Sequence, residues 1–219
     1  MGTRLGRPLP KPLTELSDGR TIARQQLDNA RAAFGDDVEV LLVVGFKLEH
    51  ILEAIPDATY AYNEAYDQTN TSKSLLKALR VTGRRGVLWM NGDVVFDPQV
   101  LERVLPLIDA GQSFACVNTA AVGDEEIKYT VDDAGGIKEL SKTVVGGLGE
   151  AVGINYVAPA DKAMLVRRLD GVEETDYFER AIEVAIERDG LRFVPVDISD
   201  LFAVEVDFEA DLDRANEHL

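Results

Sequence analysis

Apolar residues recur along this chain in two periods, and the alternation between them outlines the fold. Residues 21–34 carry Ile22, Ala23, Leu27, Ala30, Ala33 and Phe34 at helical spacing and stop before Gly35, which predicts a helix. Residues 38–44 read VEVLLVV, nearly continuous in aliphatics, as a strand covered on both faces does. A short helix over 47–54, a short strand over 59–62 and a helix over 72–81, with Leu75, Leu76 and Leu79 inward, follow in the same way. VLWM at 87–90 is a further buried strand that runs into Asn91-Gly92-Asp93, and Pro98 opens a helix to about residue 110. The second half changes character. Strands are predicted over 113–119, 127–131 and 137–140, the last two joined by the turn residues DDAGG at 132–136. After the glycines of 145–153 come a strand at 154–157, helices at 159–169 and 176–188, strands at 191–196 and 202–206, and a terminal helix over 207–218. Helices and strands alternating in this order predict an α/β fold, with a mixed, mostly parallel sheet flanked by helices. No linker or fixed-period repeat interrupts it, so residues 1–219 are read as a single domain.

Composition narrows the function classes. With 46% hydrophobic and 28% charged residues the chain can bury a core, and no apolar run approaches the roughly 20 residues of a membrane span. The first sixteen residues, MGTRLGRPLPKPLTEL, lack the apolar stretch of a secretory signal, so a cytoplasmic setting is expected. Asp plus Glu number 39 against 23 Lys plus Arg, a net charge of −16 that repels phosphate backbones and anionic lipid. Nucleic acid and membrane surfaces are therefore not expected partners. One cysteine, Cys116, excludes an internal disulfide or a cysteine-built zinc site, and two histidines, His50 and His218, leave little for a histidine-ligated metal or a Ser-His-Asp triad.

Three segments can carry chemistry. In this acidic chain Arg4, Arg7 and Lys11 cluster among Gly2, Gly6, Pro8, Pro10 and Pro12, with no acid before Glu15. Glycine lets backbone N–H groups approach an oxyanion and proline stiffens the segment that presents the cations, so the loop suits phosphate; a solvated terminus is the plainer alternative. Asp93 stands at the carboxyl end of a buried strand, where ligands bind in open α/β sheets, and is a candidate ligand for a hard cation or simply part of an Asn-Gly turn. Asp207 ends the last strand and opens the final helix, as a second metal ligand or as a helix cap.

Taken together, these segments resemble one family in order and spacing. GTRLGRPLPKP is similar to the signature loop of the NTP transferases that make sugar nucleotides and CDP-alcohols, G-x-G-T-R followed by P-K-P. NGDVVFD resembles their strand-end aspartate motif and VEVDFEADLDRA their terminal D-x-x-x-D-L-x-x-A segment. YNEAYDQTNTSKSLLKAL, ELSKTV, GEAVGINYV and YFERAI look most like the phosphocholine cytidylyltransferase branch. The resemblance implies a Rossmann-like nucleotidyltransferase fold of the GT-A-like kind. It also implies that Arg4 and Lys11 bind the nucleotide phosphates beside Gly2 and Thr3, and that Asn70, Ser72 and Ser74 face the nucleotide. By the same resemblance Lys142 meets the incoming phosphate, and Asp93 and Asp207 share one Mg²⁺. The implied reaction is Mg²⁺-dependent transfer of CMP from CTP to a small phosphorylated alcohol such as phosphocholine, with release of pyrophosphate. A sugar 1-phosphate or inositol phosphate acceptor is the alternative within the class, and a non-catalytic nucleotide-binding domain the alternative outside it. Such chemistry needs no protein nucleophile, which agrees with the scarcity of cysteine and histidine. Trp89, Tyr129, Tyr156, Tyr177 and Phe178 could wall a quaternary amine with Glu150 or Glu179 as counter-charge, or simply pack the core. Family members carry a hydrophobic strand and an Ala-Ala-Gly turn ahead of the loop, whereas this sequence starts at Met1-Gly2-Thr3; a truncated chain lacking the first strand is therefore expected.

Overall fold

The computed structural model describes residues 9–120, 123 and 126–219. A turn of 3-10 helix, Lys11–Leu13, leads to α1 (Ile22–Phe34), which Thr21 caps by accepting a hydrogen bond from the Arg24 N–H. Then come β1 (Leu41–Val44), α2 (Leu48–Ala54), β2 (Thr59–Tyr62), α3 (Thr71–Val81), β3 (Val87–Met90), β4 (Val94–Phe96) and α4 (Gln99–Asp109). The second half adds β5 (Phe114–Asn118), β6 (Lys128–Val131), β7 (Ile137–Ser141), β8 (Gly149–Val157), α5 (Pro159–Gly171) and α6 (Phe178–Asp189). β9 (Val194–Asp197), β10 (Ala203–Glu205) and α7 (Glu209–His218) close the chain.

The main sheet has six strands and is organised around β8. Its nine residues pair with β3 over Ile154–Val157, with β5 along most of the opposite edge, and with β6 at Gly149 and Glu150. β5 also carries β9, and β6 carries β7. β1 and β2 form a separate parallel pair, as β4 and β10 form an antiparallel one. The expected α/β class with a mixed sheet flanked by helices is present, and its hydrogen-bonded ladders are mostly antiparallel. Among the described pairings only β1–β2 and β5–β9 run parallel. The cause is β8, which returns antiparallel to all three of its neighbours.

Both faces of the sheet are covered, and β5 shows how. Phe114 and Cys116 point into a core built with α4 (Val100, Leu101, Val104), while Ala115 and Val117 point into one built with α3, α5 and α6 (Leu79, Leu165, Leu169, Ile182). Period-two alternation with apolar residues at every position thus reads as a strand sandwiched between helix layers. Burial pushes the Cys116 thiol up to about 12, so it stays protonated and packs as a small apolar group. A smaller cluster matters more for the site: Leu16 and Ile22 pack with Val95 of β4, Val204 and Val206 at β10, and Leu212 and Ala215 of α7. It ties the segment before α1 to the strand pair that ends at Asp93 and Asp207. Among the described residues no helix is long and apolar enough to cross a membrane.

Candidate active site

The antiparallel register of β4 and β10 brings the two aspartates together. Ala203 faces Phe96, Val204 faces Val95 and Glu205 faces Val94, and the ladder continues one step, with the Val206 N–H donating to the Asp93 carbonyl at 2.9 Å. Asp207 therefore emerges beside Asp93 although 114 positions separate them in the sequence. The turn after β10 is held by Asp211, whose carboxylate accepts from the backbone N–H groups of Asp207 (3.2 Å) and Phe208 (2.9 Å). Helix α7 begins two residues beyond Asp207, so capping falls to Asp211 and the Asp207 carboxylate turns to the site.

Lys11 stands between the two. Its Nζ donates to Asp93 Oδ2 at 3.0 Å and also to Asp207 Oδ1, in a half-buried setting. Burial alone lowers the pKa of this ammonium, but the charges and hydrogen bonds of Asp93 and Asp207 together outweigh that, and the net shift is upward. Gly92 permits the approach: a Cβ there would lie 2.9 Å from Cγ of Pro12. The Asn91–Phe96 segment is fixed from α1, whose Gln26 Nε2 donates to the Asn91 and Val94 carbonyls at 2.8 and 2.7 Å. Gln25 and Asn29 both donate to the Phe96 carbonyl, at 2.6 and 2.9 Å.

A cleft of about 350 Å³ opens beside this triad. Lys11, Asp93, Lys142 and Tyr177 line it, and Glu126, Glu179 and Glu205 add three carboxylates. Glu205 Oε1 accepts from Asn91 Nδ2 at 2.9 Å, directly over Gly153. Gly153 has φ of +69°, and a Cβ there would sit 2.7 Å from both of those polar atoms. Burial, then the Asp93 charge, pushes Glu205 up to about 8. Burial likewise pushes Glu179 up to about 7, against the pull of its backbone hydrogen bond and of Lys142. Glu126 is raised as well, first by burial and then by Glu150. The Lys142 ammonium lies 5.1 Å from the centre of the Tyr177 ring.

The structure therefore brings Lys11, Asp93 and Lys142 to one cleft, with Asp207 bonded to Lys11 beside it. Gly2, Thr3 and Arg4 lie outside the described residues. Asn70, Ser72 and Ser74 do not line the cleft; Thr71 does. Asn70 caps α3 and donates to the Thr175 carbonyl, Ser74 accepts from Asn63, and Ser72 is fully buried. Of the aromatic residues, Tyr129 and Tyr156 belong to the core, and Trp89 packs edge-on against Phe178 at 5.6 Å. Sequence reasoning passed over Glu126, Glu205 and the α1 amides, and read Asn91 only as part of a turn. Glu205 alone had a legible signal, since a strand residue two before Asp207 faces the same side.

Two carboxylates that close on one ammonium have the spacing to close on a divalent cation instead, and their oxygen donors suit Mg²⁺. Among the described residues no third Asp, Glu, His or Cys completes a protein cage. That fits an ion that keeps waters and substrate oxygens as its remaining ligands.

The chain matches no family model. It is 30% identical to CMP-5′-(3-aminopropyl)phosphonate synthase of Streptomyces rubellomurinus over 99% of its own length, and it spans 37% of that relative. Among solved structures it superposes on the CTP:phosphocholine cytidylyltransferase of Streptococcus pneumoniae with a TM-score of 0.76 at 16% identity, covering 99% of this chain and 94% of that one. The inositol-1-phosphate CTP transferase of T. maritima gives 0.78 at 16% identity over 100% and 93%, and a UDP-glucose pyrophosphorylase 0.75 at 14% over 99% and 94%. These superpositions show the fold: the chain has the nucleotidyltransferase fold.

Proposed function

We propose that this chain transfers a nucleotidyl group, CMP from CTP, to a small phosphate- or phosphonate-bearing acceptor such as phosphocholine, releasing pyrophosphate. The observation that carries this reading is the meeting of Asp93, Asp207 and Lys11 beside the cleft. Such a transfer asks the protein for positioning and charge rather than for a nucleophile. Asp93 and Asp207 would hold Mg²⁺, which when bound offsets charge on the transferring phosphoryl group. Lys11, freed from the carboxylates, neutralises triphosphate oxygens together with Arg4, beside the backbone of Gly2 and Thr3. Lys142, on the same cleft, meets the acceptor's phosphate. In this reading Thr71, at the start of α3, takes the place on the cleft wall first assigned to Asn70, Ser72 and Ser74. The cytidine preference is supported by the Streptomyces relative and by two of the superposed structures, whose names state CMP or CTP. A cytoplasmic setting, where CTP and Mg²⁺ are supplied, belongs to the same reading.

A coupled pyrophosphate assay tests it, pairing CTP, UTP, dTTP and ATP with phosphocholine, 2-aminoethyl phosphate, inositol 1-phosphate and glucose 1-phosphate. Turnover with CTP that is lost in Asp93→Asn and Asp207→Asn is the expected result. Mg²⁺-dependent CTP binding without pyrophosphate from any pair would replace it with a non-catalytic nucleotide-binding domain.

A further inference from the structure

The cleft holds more carboxyl groups than a metal site and a phosphate acceptor require. Of the described side chains along its wall, Asp93, Glu126, Glu179 and Glu205 are acidic, and only Lys11 and Lys142 are basic. Lys11 is engaged by Asp93 and Asp207, which leaves the glutamates to the single charge of Lys142.

Glu179 stands out among them. It occupies the first turn of α6, is 6% exposed, and its Oε2 has no hydrogen-bond partner among the described residues. A buried carboxylate oxygen on a cleft wall without a donor has lost its water and gained nothing in exchange. Whatever enters the cleft and restores that bond binds the better for it. A hydroxyl would satisfy the oxygen but supply no positive charge to hold the carboxylate ionised. A trimethylated amine would answer the charge but offers no N–H to that oxygen, and of the rings in the described residues only Tyr177 and Phe178 line the cleft. Tyr129 and Tyr156 are core residues, the latter stacked on Phe114 at 5.6 Å, and Lys142 already lies against the Tyr177 ring.

We propose that the acceptor carries, opposite its phosphate or phosphonate, an ammonium group with at least one N–H, and that Glu179 is the residue that binds it. This rests on the reading of the cleft as a nucleotidyl-transfer site and narrows its acceptor class to aminoalkyl phosphates or phosphonates. The upward shift of Glu179 to about 7 agrees, since an entering cation would hold the carboxylate ionised.

Equilibrium binding separates this proposal from the reading beneath it. Isothermal titration of the full chain with 2-aminoethyl phosphate, 2-hydroxyethyl phosphate and phosphocholine, in MgCl₂, compares an ammonium, a hydroxyl and a quaternary amine on the same backbone. The wild type is expected to bind the aminoethyl compound about tenfold or more tighter than either other, and Glu179→Gln to bring the three within about twofold of one another. Glu179→Asp keeps the charge at shorter reach, so its preference shrinks without vanishing, and it serves if the amide variant does not fold. Equal affinities in the wild type would overturn the proposal. So would a preference that survives Glu179→Gln, or a variant that weakens all three ligands alike. Absence of pyrophosphate from every acceptor would defeat the transfer reaction while the binding ratios still decide the role of Glu179.

Discussion

If Asp93 and Asp207 hold a divalent cation as proposed, Lys11 and that cation compete for one position. Nζ lies 3.0 Å from Asp93 Oδ2 and also bonds Asp207, so a metal bridging the two carboxylates has to expel the ammonium. At an effective dielectric of about 20, one such contact is worth about 5 kcal/mol of gross attraction. Partial exposure and the desolvation already suffered by Lys11 reduce the net cost of expulsion to about 1.4–2.8 kcal/mol. Lys11→Met removes the competitor while keeping the length of the side chain. Mn²⁺ binding without nucleotide, followed by the loss of the free-ion electron paramagnetic resonance signal, is then expected to tighten by about ten- to a hundredfold. The metal-free variant should also melt below the wild type, because two carboxylates are left facing each other, and Mn²⁺ should recover more of that loss than it adds to the wild type. Pyrophosphate release should fall, since the triphosphate loses a cation. Mn²⁺ affinity that is unchanged or weaker in Lys11→Met would refute the reasoning: the ion would then bind elsewhere, or beside the lysine.

Other perturbations probe the scaffold. Gly153→Ala places a methyl group 2.7 Å from Asn91 Nδ2 and Glu205 Oε1 at a backbone φ of +69°; a loss of about 1–3 kcal/mol in urea denaturation is expected, and an unchanged midpoint would contradict the close packing described. Ile22→Ala empties the cluster that ties the Lys11 segment to β4, β10 and α7, and should cost about 2–5 kcal/mol by the same measurement. Glu179 has a folded pKa of about 7 against an ordinary value of 4.5, so the folded state holds the proton more tightly. Its contribution to stability is complete below about 4.5 and is lost as pH rises through 7, with Glu126 and Glu205 shifted in the same direction. Melting temperature should therefore decline across that window, and less steeply in Glu179→Gln.

Much of this architecture is legible in the residues, because strands buried on both faces and helices with one apolar stripe leave unmistakable periods. β2 and β3 fall where their runs of residues predict, and the remaining elements are displaced mainly at their ends. β4 escaped because VVF is only three residues long and follows an Asn-Gly-Asp turn, so it reads as the tail of a loop. The sense of the sheet escaped because alternating strands and helices early in the chain suggest parallel crossovers, and nothing local in GEAVGINYV announces that it will run against three neighbours. Asp93, Asp207, Lys11 and Lys142 were found through motifs, which mark residues in order along the chain. Glu179 was named only as one of two candidate counter-charges to an amine, and Glu205 not at all: a glutamate in the first turn of a helix or near the end of a strand looks solvated until the fold closes over it. Ser72 erred the other way, since a serine early in a helix looks available and here is fully buried.

Strand β8 is the rail on which both ends of the cleft ride. Near its start Glu150 pairs with Lys128 beside the hairpin that leads to Lys142, and farther along the Gly153 carbonyl receives the Asn91 N–H next to Asp93. Sliding β8 by a single residue would invert every side chain it presents and break both ends at once. A protein so built can acquire a taste for a different acceptor by exchanging side chains along the walls, but not by lengthening or shortening its central strand. Descendants of this chain are thus free to diversify in chemistry while remaining conservative in measure.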